Sequence, residues 1–78
     1  MEDKKVYYTN SIGIETSPFD VKLKMTYTSA KSPTEAEVKD LCEVVMSPEH
    51  AKVFLNVFTK VISDYEEKFG EIRTLNKN

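Results

Sequence analysis

The chain has few of the residues on which reactive sites are built. Its 78 residues include one cysteine, one histidine and no tryptophan. One cysteine cannot form an internal disulfide, and with one histidine it falls short of the four ligands of a usual structural zinc site. No motif supplies an activated nucleophile or a phosphate-binding loop. We therefore expect no catalytic residue, no metal site and no cofactor, and a protein that is not an enzyme.

Long apolar runs and an excess of one charge are also missing. No stretch of about 18 apolar residues could cross a bilayer, and no basic start followed by an apolar centre marks a signal peptide. We expect a cytoplasmic protein with no membrane partner. Eleven basic against thirteen acidic residues leave a net charge of −2, which gives no general attraction to nucleic acid.

The length allows one domain, residues 1–78, with a thin hydrophobic core. At this size, folding removes only about 60% of the surface of the unfolded chain from water. The 40% apolar and 31% charged residues are typical of a globular protein. Because no disulfide can supplement the core, we expect a homo-oligomer, a dimer or a tetramer.

The clearest element is an amphipathic helix over residues 48–69. Ser47-Pro48-Glu49 gives a capping hydroxyl, a proline suited to the first turn and an acid near the positive end of the dipole. Gly70 suits the C-terminal cap, and residues 73–78 form a polar tail. Apolar side chains at steps of three and four define the helix stripe. Its members are Ala51, Phe54, Leu55, Phe58, Val61, Ile62, Tyr65 and Phe69.

Two strands are predicted before the helix, at about 5–15 and 19–28. In the second, apolar and polar residues alternate from Phe19 to Thr28 without exception, which is the period of a half-buried strand. Ser17-Pro18 between the strands favours a turn. We therefore expect an antiparallel hairpin.

Residues 33–43 allow two interpretations. A helix is favoured by the capping-box form of residues 32–35 and by the helical spacing of Val38, Leu41, Cys42 and Val45. Val38, Cys42, Val44 and Met46 instead share one face of a strand, with Asp40 as the misfit, and Val44-Val45 favours strand locally. With a strand at about 36–46, the fold class is α+β: a three-stranded antiparallel sheet followed by one long C-terminal helix packed on it.

Two blocks of sequence resemble a known family. They are residues 44–52 (VVMSPEHAK) and 65–72 (YEEKFGEI), supported by residues 8–11 (YTNS) and 17–20 (SPFD). In these blocks the chain resembles a family of small uncharacterised bacterial and archaeal proteins, domain of unknown function 3467. The resemblance implies a strand-rich N-terminal half, a C-terminal helix and no assigned activity. A looser likeness to SecB-type export chaperones is a fold-level analogy.

A single helix is too narrow to cover a three-stranded sheet, so apolar residues should remain for an interface. Leu41 and Val45 are expected on the opposite sheet face, and Val53 and Val57 on a flank of the helix. We therefore expect a non-enzymatic assembly protein that self-associates through sheet edge and helix flank, with a protein client suggested by the SecB analogy.

The alternative is a module that binds single-stranded nucleic acid. Alternation places Lys5, Tyr7, Lys22 and Lys24 on the outer face of the hairpin, where lysines around an aromatic ring can bind such strands. Lysines on a sheet surface also serve to prevent aggregation. His50 is the only candidate catalytic base, and its place in the first helical turn favours a structural role.

Overall fold

The computed structural model describes residues 3–74. Strands β1 (Ser11–Thr16), β2 (Val21–Ser32) and β3 (Glu35–Met46) precede one helix, α1 (Pro48–Phe69). The strands form one antiparallel sheet in the order β1-β2-β3. The predicted α+β arrangement, three antiparallel strands followed by a helix, is confirmed.

The sheet and the helix fall into two compact units that divide after Pro48. Packing of the helix on the sheet, and a single domain over 1–78, therefore stay predictions. The predicted polar tail begins in residues 73 and 74, which carry no regular structure, and its remainder, 75–78, lies outside the described residues.

The turn between β1 and β2 is organised by Ser17. Its backbone N–H donates to the Asp20 carbonyl at 3.0 Å. Its hydroxyl accepts the N–H groups of Phe19 at 3.0 Å and Asp20 at 3.1 Å, and donates to the Asp20 carboxylate at 3.0 Å. This turn joins Thr16 to Val21 in register, so the predicted hairpin is confirmed.

The strand β1 starts at Ser11, later than the predicted start near residue 5. Asn10 explains the difference, because its side chain pairs with the backbone of β2. Asn10 Oδ1 accepts the Thr28 N–H at 2.8 Å, and Asn10 Nδ2 donates to the Thr28 carbonyl at 2.9 Å. The Asn10 side chain thus occupies the Thr28 N–H and carbonyl, which the backbone of β1 would otherwise bind, and the backbone pairing of β1 with β2 stops there.

The strand interpretation of residues 36–46 is correct, and Asp40 is the misfit because of a β-bulge. Met25 pairs with Cys42 while the next residue of β2, Thr26, pairs with Asp40, so Leu41 is an extra residue. An extra residue reverses the alternation of side chains along the strand. Asp40 therefore lies on the other face from Cys42, together with its partner Thr26.

The strand register, including the bulge, separates the sheet into an apolar face and a polar face. Side chains paired directly across antiparallel strands lie on the same face, so the register defines both sets. The apolar face includes Ile12, Ile14, Val21, Leu23, Met25, Cys42, Val44 and Met46, with Thr16 paired to Val21. The polar face includes Ser11, Gly13, Glu15, Lys22, Lys24, Thr26, Asp40, Glu43 and Val45.

Helix α1 has the predicted bounds and the predicted C-terminal cap. Glu49 lies in its first turn and Lys68 in its last, each at the end where the dipole favours its charge. Gly70 has a φ of 105°, and its N–H donates to the Glu66 carbonyl at 2.8 Å. The Glu66 carboxylate accepts the Ile72 N–H at 3.0 Å, which stabilises the chain just after the helix.

Candidate interaction surfaces

The apolar face of the sheet is mostly open. Leu23, on the central strand, is 7% exposed and is the one buried hydrophobic side chain in residues 3–74. Its register partners in β1 and β3 are Ile14 and Val44, which are 60% and 43% exposed. A sheet face of this composition is normally covered by another layer of structure.

The helix stripe is also open along its length. Helix α1 has no buried residue, and the large side chains of the stripe outside Ile62 are 42–68% exposed. Two aromatic pairs lie along it: the Phe54 and Phe58 rings stack with centroids 5.5 Å apart, and those of Tyr65 and Phe69 are 4.9 Å apart. The stripe is thus a continuous exposed aromatic and aliphatic surface.

The four predicted interface residues lie in both units. Val45 pairs with Lys22 on the polar face of the sheet, and Leu41 is the extra residue of the bulge. Val53 and Val57 are four residues apart in α1, so they lie on one side of the helix, and both are exposed. Each unit therefore holds two of the four residues that are predicted to form the interface.

The lysines of the predicted nucleic-acid face are paired with carboxylates. Lys24 Nζ lies 3.1 Å from a Glu15 carboxylate oxygen. Lys22 Nζ lies 3.9 Å from oxygens of both Glu15 and Glu43. Asp40 shares this face, so two cations stand among three anions, an arrangement that does not attract a phosphate backbone.

The ion pairs perturb two protonation equilibria. The hydrogen bond from Lys24, followed by the charges of Lys24 and Lys22, lowers the pKa of the Glu15 carboxyl. The same hydrogen bond and the charge of Glu15 raise the pKa of Lys24. Both groups are solvent-exposed, so these shifts report local pairing and not a desolvated reactive site.

Lys5 and Tyr7 lie outside the sheet. The structure gives residues 3–9 no regular secondary structure, and both side chains are exposed. Strand alternation therefore does not place them beside Lys22 and Lys24, and the register contains only the latter two of the predicted set.

A shallow concavity of about 560 Å³ surrounds the bulge, with Leu41, Val38 and Asp40 among its lining residues. The hydroxyl groups in its lining form hydrogen bonds with one another across strands β1 and β2. Ser11 Oγ lies 2.5 Å from Thr26 Oγ1 and 3.0 Å from Thr28 Oγ1, in hydrogen bonds in which either oxygen can donate. These contacts stabilise the pairing of β1 and β2.

Sequence reasoning missed this hydroxyl cluster and the amide clamp of Asn10 on Thr28. The segment Thr9-Asn10-Ser11 contained a signal for them, because short polar side chains next to a strand can bond to backbone groups. Cross-strand partners such as Thr26 and Thr28 become evident only once the register is known. Both features hold the sheet together.

The two candidate reactive side chains lie on different elements of the described structure. His50 lies in the first turn of α1, and Cys42 lies in β3 as a free thiol. Residues 3–74 contain no group of three or more histidine, cysteine or acidic residues that could hold a metal ion. Within the same residues, α1 is too polar to cross a membrane.

One comparison with known proteins decides the family. The model of the family described as Protein of unknown function (DUF3467) matches residues 1–74. The chain belongs to this family. The predicted membership is therefore confirmed, and no activity is assigned to this family. No curated protein and no solved structure matches the chain, so the likeness to SecB-type chaperones is not confirmed.

Proposed function

We propose that this member of the family is a non-enzymatic assembly protein that works by burying its apolar surfaces against another protein chain, first of all a second copy of itself. The observation that carries the proposal is the exposure of the helix stripe, together with the finding that Leu23 is the one buried apolar side chain in residues 3–74. Contiguous exposed apolar surface on a soluble domain typically marks a protein interface.

The distribution of charge favours the helix as the main interface. Strand β3 is an outer strand of the sheet and carries Glu35, Glu37, Lys39, Asp40 and Glu43. Charged side chains along an edge discourage strand addition. The helix stripe contains no charged residue, and the flank formed by Val53 and Val57 extends its apolar area. Association through the sheet edge is the secondary route.

A protein client is the second occupant that these surfaces would suit. An amphipathic helix can bind in an apolar groove of another protein. If self-association buries the stripe, the apolar face of the sheet and all four predicted interface residues, no apolar surface remains for a client. The order of the two roles can therefore be tested by asking how much apolar surface stays open in the assembled form.

Light scattering across a dilution series tests the proposal. We expect a particle mass of at least two chains at micromolar concentration, decreasing toward one chain on dilution. A dye that fluoresces on exposed apolar surface should bind more strongly as the mass falls. A single-chain mass throughout the series would contradict self-association and leave a client as the occupant.

A further inference from the structure

The helix stripe repeats with a period of seven residues around Phe58. Ala51, Phe58 and Tyr65 are spaced by seven, as are the pairs Phe54 with Val61 and Leu55 with Ile62. Seven-residue spacing of apolar positions is typical of helices that pack side by side. All these side chains lie within α1, so their relative positions follow from helical geometry alone.

We propose that α1 packs against α1 of a second copy in antiparallel orientation, with the two-fold axis next to Phe58. This inference rests on the proposed function and specifies its interface. In such a pair, a stripe residue a given number of positions before Phe58 lies opposite one about the same number of positions after it in the second copy.

The side-chain sizes of the stripe are self-complementary in this register. Ala51, the smallest member, lies opposite Tyr65 of the second copy, and Phe54 lies opposite Ile62. Leu55 meets Val61, and Phe58 meets its own copy at the two-fold axis. Small side chains opposite large ones fill an interface without voids or overlap.

The charges beside the stripe are self-complementary as well. Lys52 and Glu66 lie on the same side of α1, near its two ends. The antiparallel register brings Lys52 close to Glu66 of the second copy, with an axial offset of about 3 Å. Glu66 uses one carboxylate oxygen for the Ile72 N–H, and its other oxygen can accept from the lysine.

A parallel pair of the same helices is disfavoured by the same residues. It would place Tyr65 against Tyr65 and Ala51 against Ala51, which gives crowding at one layer and a void at another. It would also align the two helix dipoles, whereas antiparallel helices oppose them.

Distances between spin labels test the arrangement in the full-length protein. Single cysteines replace Lys52, Thr59 or Glu66 in a Cys42→Ser background and carry the label. Because loss of Lys52 or Glu66 should weaken the dimer only severalfold, each labelled variant is measured at a concentration at which its mass is that of the dimer. The two copies of position 59 should be separated along the axis by about 3 Å, those of 52 by about 18 Å and those of 66 by about 24 Å.

The pattern of three distances separates the outcomes. The shortest distance at 59 and the longest at 66 would support the antiparallel pair. Equal distances at all three positions would indicate a parallel pair and overturn the inference while leaving the assembly proposal intact. A dimer whose labels are all far apart would place the interface outside α1 and overturn it likewise. A monomer would contradict this inference and the self-association on which it rests, and would leave a protein client as the occupant of the stripe.

Charge reversal gives an independent readout. Lys52→Glu and Glu66→Lys should each raise the dimer dissociation constant severalfold, and the double variant should recover part of the loss. Glu67→Lys, an equal change of charge on the back of the helix, is the matched control and should leave the dissociation constant near that of the parent. Two additive losses with no recovery in the double variant would contradict the predicted pairing of Lys52 with Glu66.

Discussion

The sheet and the helix of this protein differ in what stabilises them. The sheet joins residues distant in sequence through two antiparallel ladders, the Asn10 clamp on Thr28 and the ion pairs around Glu15. Helix α1 carries the hydrogen bonds of its own backbone, an ion pair between Lys60 and Asp64, and aromatic contacts along its own surface.

This difference is the reason why we propose the helix as the surface that a partner covers. Isolated helices derive little stability from propensity, and in proteins most of their stability comes from packing an apolar face. The helix stripe is such a face and its side chains are largely exposed. The sheet can hold its register through hydrogen bonds, whereas the helix requires another surface to bury its aromatic side chains.

The largest predicted effect is on assembly. Phe58→Ala should raise the dimer dissociation constant roughly a thousandfold, about 4 kcal/mol, because each dimer loses two rings from the centre of the interface. Sedimentation at several concentrations would measure it. Asn56→Ala, on the back of the same helix, should leave association unchanged. Equal association of the Phe58 and Asn56 variants would show that the stripe is not the interface.

Leu23→Ala tests the claim that the sheet is stabilised by its own contacts. Leu23 is the buried apolar side chain of the sheet, and its truncation should lower the free energy of unfolding by about 3 kcal/mol. Denaturant unfolding of the β-sheet signal should show the loss at every protein concentration. Ile14→Ala, at its exposed cross-strand neighbour, should cost about 1 kcal/mol. A larger loss for Ile14 would mean that the apolar face is covered at its edge.

Asn10→Ala removes two hydrogen bonds to the Thr28 backbone. We expect a loss of about 1.5 kcal/mol, since each bond contributes roughly 0.5 to 1.5 kcal/mol net. Amide exchange at Thr28 should accelerate more than exchange at Leu23. Unchanged protection at Thr28 would show that the clamp does not hold the start of β1.

Gly70→Ala tests the end of the helix. The positive φ of Gly70 is strained for any residue with a Cβ, and the cost should be about 1 kcal/mol. Gly13→Ala is the matched control, because its new Cβ would meet Lys24 Cβ at 3.8 Å, an ordinary contact. Thermal unfolding followed by circular dichroism should lower the midpoint for the Gly70 variant only. Equal midpoints would contradict the cap.

The smallest predicted effect is on pH dependence. The pKa of Glu15 is lowered in the folded state, so its ion pair stabilises the sheet above the pKa of an unfolded glutamate, and this contribution is lost as the pH falls through the lowered value. Lys24→Gln should raise the pKa of Glu15, with Lys22 preserving part of the shift. A carboxyl NMR titration measures it, and Lys60→Gln in the helix should leave Glu15 unaffected. An unchanged Glu15 titration in the Lys24 variant would contradict the pairing.

The sequence predicted what depends on local pattern and missed what depends on pairing. The start of α1 at Pro48 and its end before Gly70 follow from caps and periodicity, both of which act within a few residues. The late start of β1 depends on Asn10 reaching Thr28, and the bulge at Leu41 depends on how β3 aligns with β2. Asp40 did not fit the strand alternation because the bulge reverses that alternation. From the sequence alone, the broken alternation was also compatible with a helix.

The candidate surfaces likewise divide into those that follow from local pattern and those that depend on strand pairing. Periodicity located the helix stripe, because its members lie on a single helix. Alternation from residue 5 onward did not hold for Lys5 and Tyr7. The partners of Lys22 and Lys24 required the register that brings Glu15 and Glu43 beside them.

Hydrogen exchange at two protein concentrations tests the central claim most directly. If α1 is stabilised by a second copy and the sheet by its own ladders, dilution below the dissociation constant should speed exchange of the amides in Pro48–Phe69 and leave those of Val21–Ser32 unchanged. Protection of the helix that stays constant on dilution to a single-chain mass would contradict the claim.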